Sequence, residues 1–244
     1  IVASILFVVI AVKGERRIKL SFQALFKLNK SILGRIYNVG FPAAIEQMIM
    51  RTGQIAFAKV ISSLGTITYA AHQVGMNILS LSFMPGMAFA TSATTLVGQY
   101  LGAKRPDDAE RCGNTSHRIG LIVGLCMTAI FFFFGKPIAL LYSDDPSVVL
   151  VSATILKIYA LAQPFQSTQF VLAGGLRGAG DTRYPLYSTF VGMWVGRVFL
   201  GWLFVNVFEF GLQGAWMAMA LDQIMRGILI SLRFKTGKWK TAKV

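Results

Sequence analysis

Apolar residues fall in long runs separated by short clusters of Gly, Pro, Asp and cations, and no run alternates with a period of two. Six stretches, approximately 36–62, 66–101, 116–134, 147–173, 185–207 and 211–232, reach the roughly 20 apolar residues that a membrane-spanning helix needs. A barrel strand would be about ten residues of alternating character, so these runs read as helices. IALLYSDDPSVV and LAGGLRGAGDTRYP supply the turn residues between them. The second run is long: about 54 Å at about 1.5 Å per residue, against a hydrocarbon core of about 30 Å. It must tilt, protrude or break, and Pro85-Gly86 is its expected bend. Residues 1–12 are apolar but too few to span, and they lack a signal peptide's basic flank and cleavage site, so they read as the end of a preceding helix in a truncated chain. The pattern predicts an all-α polytopic membrane protein. Its expected parts are the helix end at 1–12, a cytoplasmic basic amphipathic linker at 13–35, a six-helix transmembrane lobe at 36–232 and a cytoplasmic basic tail at 233–244.

Composition narrows the class. The 244 residues are 55% apolar with a mean hydropathy of +0.60, and 14% are charged, where a soluble domain carries roughly 25%. Disorder is excluded, and so is a nucleic-acid-binding domain, because long stretches have too few charges to coat a soluble surface. The 24 Lys and Arg against 10 Asp and Glu record orientation instead. Seven cations lie in 13–35, four in the 102–118 connection, two in the 174–184 loop and five from 233 onward, while the alternate connections hold only Lys136. Eighteen against one is a positive-inside asymmetry that puts the linker and the C-terminus in the cytoplasm and Asp144-Asp145 outside. Ile18, Phe22, Leu25, Phe26 and Ile32 interleave with the linker's cations, as in a helix lying on lipid headgroups.

Catalytic chemistry is not visible. Cys112 and Cys126 lie 14 residues apart on one expected helix, about 21 Å by helical rise and beyond disulfide reach. There is no metal-ligand cluster, no P-loop and no Ser/His/Asp set. An enzyme and an organic cofactor are therefore not expected.

Ionisable residues inside spans cost at least about 2.5 kcal/mol each at mid-bilayer, so they are the strongest functional pointers. In the first span Gln47, Arg51 and Gln54 share a stripe with Glu46 at its edge, which should face the bundle interior or a wet cavity. Glu46 follows Pro42 by four residues, beside a turn the proline loosens. It reads either as an ion or proton site or as the partner of Arg51 or another helix's cation. Asp222 comes out near mid-depth with Arg226 four residues on, positioned to pair. Lys157 and Arg197 also fall near mid-depth, so that five cations, with Arg51, Lys59 and Arg226, face two carboxylates. His72 and Gln73 open the second span, His72 reading as a packing residue before a proton carrier. Met48, Met50, Met76, Met84, Met87, Met217 and Met219, with Phe83, Phe89 and Phe165, could line an adaptable pocket.

Several segments resemble the multidrug and toxic compound extrusion (MATE) family, nearest its prokaryotic DinF-like and related branches. These are FPAAIEQ at 41–47, AAHQ at 70–73, MPGM at 84–87, TTLVGQYLGAKRPDDAERCG at 94–113 and LRGAGDTRYP at 176–185. The resemblance runs in order along almost the whole chain. It implies the second lobe of a twelve-helix, two-lobe secondary transporter that expels organic cations or other amphipathic drugs in exchange for Na⁺ or H⁺. It also implies a multi-pass cell-membrane protein with no cofactor beyond the coupling ion, and as partners a small-molecule substrate, membrane lipid and the missing N-terminal lobe. Glu46 is the family-type candidate for a coupling acid, with a possible Na⁺ bound there, although in the DinF-like branch that acid sits in the other lobe. Gln47, Arg51, Gln54, Gln73 and Asp222 complete the expected ion- or substrate-binding set, with Pro42 and Pro85 as helix-bending positions. Two other readings remain open: a lipid-linked oligosaccharide flippase with a cation-lined cavity, and a non-transporting membrane scaffold whose polar stripe is sealed by packing.

Overall fold

The computed structural model describes residues 30–241. The chain divides into two compact units at Gly40 and Phe41; the described part of the first, 30–40, is helical, and the second contains the fold and its cavity. The described residues form α1 (Lys30–Ser62), α2 (Thr66–Gly102), α3 (Pro106–Leu140), α4 (Pro146–Ala160), α5 (Gln163–Gly178) and α6 (Arg183–Phe190). A wider π-helical stretch (Val191–Phe199) leads into α7 (Leu200–Asn206), and α8 (Gly211–Lys235) is followed by a short turn at Lys238–Thr241. The expected helix end at 1–12 and most of the 13–35 linker lie outside the described residues.

Among the described residues, four helical segments are long and apolar enough to cross a membrane: Thr66–Gly102, Pro106–Leu140, Arg183–Val207 and Gly211–Lys235. The α4–α5 pair makes a fifth when taken as one span, broken by a bend of 56°. Two expectations are corrected here. The 36–62 stretch is helical but falls short of that apolarity, because Glu46, Gln47, Arg51, Gln54 and Lys59 dilute it. The 147–173 stretch is two helices. The single span fails where Pro164 lacks an N–H to continue the ladder. A side chain answers the freed backbone carbonyl, Thr128 Oγ1 donating to Ala160 O at 2.9 Å, and the Tyr159 hydroxyl donates to Gln166 Oε1 at 2.7 Å to tie the two side chains across the break. Gln163 Nε2 reaches Ser82 Oγ at 3.2 Å and the Ser167 hydroxyl donates to the Gly120 carbonyl, so the polar break is fastened to α2 and α3.

Long α2 continues as helix through Pro85 over 37 residues. Its second half lies against α5 with backbones almost touching. A Cβ on Gly174 would stand 2.4 Å from the Ala90 carbonyl oxygen, and one on Gly178 would stand 2.2 Å from that of Thr94. Thr94 Oγ1 donates to the Gly174 carbonyl at 2.9 Å in the same seam. Small residues one turn apart let helices approach this closely where lipid gives no hydrophobic drive. Gly178→Val should therefore force α5 from α2 and cost about 3 kcal/mol, the upper end for overpacking, because the obstacle is backbone; a matching drop in unfolding temperature in detergent is the check.

The ends are finished locally. Asp145 caps α4 by accepting from the backbone N–H and the hydroxyl of Ser147, which hold its carboxyl below the usual carboxylate range. The tail expected from 233 begins later, since α8 runs to Lys235, and the turn beyond it is packed down. Trp239 is fully buried, stacks on Phe234 at 4.7 Å and donates to the Phe234 carbonyl at 2.8 Å. Lys240 ties this turn to the start of α3 through Glu110 at 2.6 Å and Asp107 at 3.2 Å. Large apolar side chains such as Ile122, Phe133, Leu150 and Leu161 point outward, as a lipid-covered bundle requires.

Candidate binding cavity

A cavity of about 330 Å³ opens among α1, α2, α4, α5, the π-helical stretch and α8. Its apolar wall includes Met50, Met76, Phe83, Met87, Phe170 and Met219. Its polar groups are Glu46, Gln47, Gln54, Thr91, Thr94, Gln169, Arg177, Arg197, Gln223 and Arg226.

Buried Glu46 is held by two residues on other helices. Arg177 Nη2 donates to its Oε1 at 2.6 Å and Thr189 Oγ1 donates to the same oxygen at 2.9 Å. Both contacts fall on Oε1, and Arg177 keeps a third of its side-chain surface exposed. The partner is thus the other helix's cation, not Arg51. Arg51 is exposed, lies outside the lining, and reaches Gln54 Oε1 at 3.5 Å. Gln47 and Gln54 do line the cavity. Gln73 does not; it is exposed and donates to the Tyr69 hydroxyl at 3.0 Å. Pro42 sits inside continuous α1, four residues before Glu46.

Asp222 is fully buried between two guanidiniums. Arg197 Nε and Nη2 lie 2.8 and 2.7 Å from Oδ2; Arg226 places Nη2 2.8 Å from Oδ2 and Nε 2.7 Å from Oδ1. With its amide oxygen turned toward them, Gln223 accepts from Arg197 at 3.2 Å and Arg226 at 3.0 Å. The cluster fits only because the facing π-helical stretch carries Gly192 and Gly196: a Cβ on Gly192 would lie 2.4 Å from Asp222 Oδ1 and 2.4 Å from Arg226 Cγ. Asp222 itself is absent from the cavity lining, while both arginines line it.

These pairings settle most of the cation surplus. Arg51, Lys59 and Lys157 are exposed, Lys157 lying 5.9 Å over the Phe132 ring. Arg197 and Arg226 share Asp222, and Glu46 holds Arg177. His72 is buried and accepts at Nδ1 from Trp216 Nε1 at 3.2 Å, a packing role.

Sequence reading missed Arg177, Thr189, Gln169 and Gln223. Arg177 was assigned to a loop and counted as an orientation charge, but α5 extends to Gly178. A usable signal existed: Gln163, Gln166 and Gln169 recur every three residues and mark a polar helical face. Gln169 is buried with its Oε1 unpartnered beside the cavity. Nothing in the sequence marks Thr189 or Gln223.

Among the described residues, apolar helices long enough to cross a membrane, packed about a partly polar cavity, define a helical multi-pass membrane protein. The MatE family model matches residues 42–203, and the chain belongs to this family. It is 36% identical over 218 residues to the probable multidrug resistance protein NorM of Thermotoga maritima, covering 86% of this chain and 45% of that protein. It is 33% identical over 209 residues to the multidrug resistance protein MdtK of Yersinia enterocolitica, covering 84% and 46%. The chain thus spans about half the length of these relatives. Among solved structures, a MOP superfamily transporter from Pyrococcus furiosus shares the fold at a TM-score of 0.86 and 20% identity, over 96% of this chain and 53% of that one.

Proposed function

We propose that the chain forms one lobe of a secondary active efflux transporter, an antiporter exporting organic cations or other amphipathic compounds in exchange for Na⁺ or H⁺. The missing partner is the N-terminal lobe of the same polypeptide, and the location is the cell membrane with the C-terminus cytoplasmic. Family membership and the names of the curated relatives support multidrug export. The observation that carries the coupling is Glu46, a buried carboxylate on the cavity wall whose Oε1 alone holds both Arg177 and Thr189.

The mechanism follows from that competition. A proton or Na⁺ at Glu46 neutralises the charge that Arg177 answers, so ion binding loosens the tie between α1 and α5. An ion can shift a two-state equilibrium only by preferring one state, and here the preferred state is the one with the Arg177 tie broken. Flexing beside Pro42 and Pro85 lets the spans follow, giving alternating access. A flippase for anionic lipid-linked oligosaccharides is the second reading, favoured by three cavity arginines against Glu46 and Asp222. A sealed scaffold loses its support, since Glu46, Gln47 and Gln54 line an open cavity.

Reconstituting the full-length polypeptide in vesicles tests the reading. Efflux of a cationic dye should accelerate when a Na⁺ or H⁺ gradient is imposed and cease when it is dissipated. Indifference to both gradients, or binding of an anionic lipid-linked oligosaccharide in place of the dye, would overturn it.

A further inference from the structure

A second recess, about 410 Å³, lies between α2 and α3 away from the cavity. Its residues fall in layers along the two helices. Tyr100, Asp108 and Arg111 stand nearest the α2–α3 connection; Leu96 and Cys112 come next, then Thr115, Ser116 and Ser92, with Phe89 and Ile119 farthest from it. From Arg111 to Ile119 is about 12 Å of helical rise, close to the roughly 15 Å of one leaflet's hydrocarbon.

Charge around the mouth is almost fully matched. Arg105 pairs with Asp108 at 2.7 Å and lies over the Tyr100 ring at 5.3 Å, while Lys240 takes both Asp107 and Glu110. Arg111, exposed on the rim, is left without an acidic partner among the described residues. Every carboxylate of α3's first turns is thereby occupied, and the groove presents one unanswered guanidinium above an apolar slot. A guanidinium matches a phosphate's oxygens in a bidentate fork, and basic recesses between spanning helices suit anionic headgroups.

We propose that this groove holds one anionic phospholipid, its phosphate on Arg111 and one acyl chain along Leu96, Phe89 and Ile119. The site is separate from the transport cavity and does not depend on what that cavity carries.

Native mass spectrometry of the purified full-length protein, titrated with phosphatidylglycerol and phosphatidylcholine of identical chains, tests it. Wild type should retain one phosphatidylglycerol with about fivefold preference, the scale of one cation near a membrane surface. Arg111→Gln should erase the preference, Arg111→Lys should keep part of it, and Arg118→Gln, an exposed cation on the same helix outside the groove, should leave it intact. Leu96→Trp, which fills the slot, should remove the bound lipid with the unfolding temperature maintained. Equal retention of the two lipids by wild type, an unchanged preference in Arg111→Gln, or displacement of the lipid by free glycerol phosphate would each overturn the proposal.

Discussion

Asp222→Ala is expected to be the most destabilising single substitution in the bundle, lowering stability by about 3–5 kcal/mol, the cost of removing one partner from a buried ionic cluster. Asp222 is fully buried and both guanidiniums lie within 2.8 Å of it. Its removal strands two positive charges that have Gln223 and the Met50 sulfur as their remaining neighbours, the sulfur 3.3 Å from Arg226 Nη1. Asp222→Asn keeps the shape and one acceptor, so it should fall between Ala and wild type. The pair Asp222→Leu with Arg197→Met should recover only part of the loss, since it removes one of the two stranded charges and leaves Arg226. Thermal unfolding in detergent reads all three, and an Ala variant that melts with wild type would deny the cluster this role.

Glu46→Gln is expected to reduce gradient-driven efflux to the level seen with no gradient, while the protein still inserts and folds. The amide retains a hydrogen-bond acceptor for Thr189 but carries no charge for an ion to neutralise, so it mimics the ion-loaded state permanently. Arg177→Gln separates coupling from architecture. It leaves the carboxylate and removes its competitor, so the ion concentration needed for half-maximal efflux should fall by up to about tenfold, the equivalent of a charged hydrogen bond worth about 1.5 kcal/mol. Coupling retained by Glu46→Gln would move the ion site elsewhere.

The sequence carried the helical class, the turn positions and the Asp222–Arg226 pair, because each depends on spacing along one segment. It did not carry the choice of partners between segments. Glu46 meets Arg177 across 131 positions, a pairing set by how α1 and α5 pack and not by any local period. Arg51 satisfies the stripe arithmetic with Gln47 and Gln54 yet lies outside the cavity lining, since a long side chain can carry its charge off the face its Cα shares. The break at Leu161–Ala162 was concealed by composition: hydropathy stays high across it, and only Pro164 and the three glutamines hint that the backbone turns there. Nothing local distinguishes Gly192 and Gly196 within the 185–207 run; their smallness matters only because α8 presses Asp222 against them.

The α4–α5 break and Pro85 of α2 lie near one another along two parallel helices. Gln163 bonds Ser82, and a Cβ on Gly86 would meet the Phe170 ring at 2.8 Å, so α2 runs from the break to Pro85 in contact with the first turns of α5. On one side of the break α2 is fixed to α4, where Ser152 Oγ donates to the Ala71 carbonyl at 3.3 Å; on the other it is locked to α5 through the glycine seam. The α4–α5 break is thus bridged by a continuous neighbour: α2 is fastened to α4 before the break and to α5 after it. Any change in the 56° angle between α4 and α5 must be carried by α2, which spans both like a splint laid across a joint.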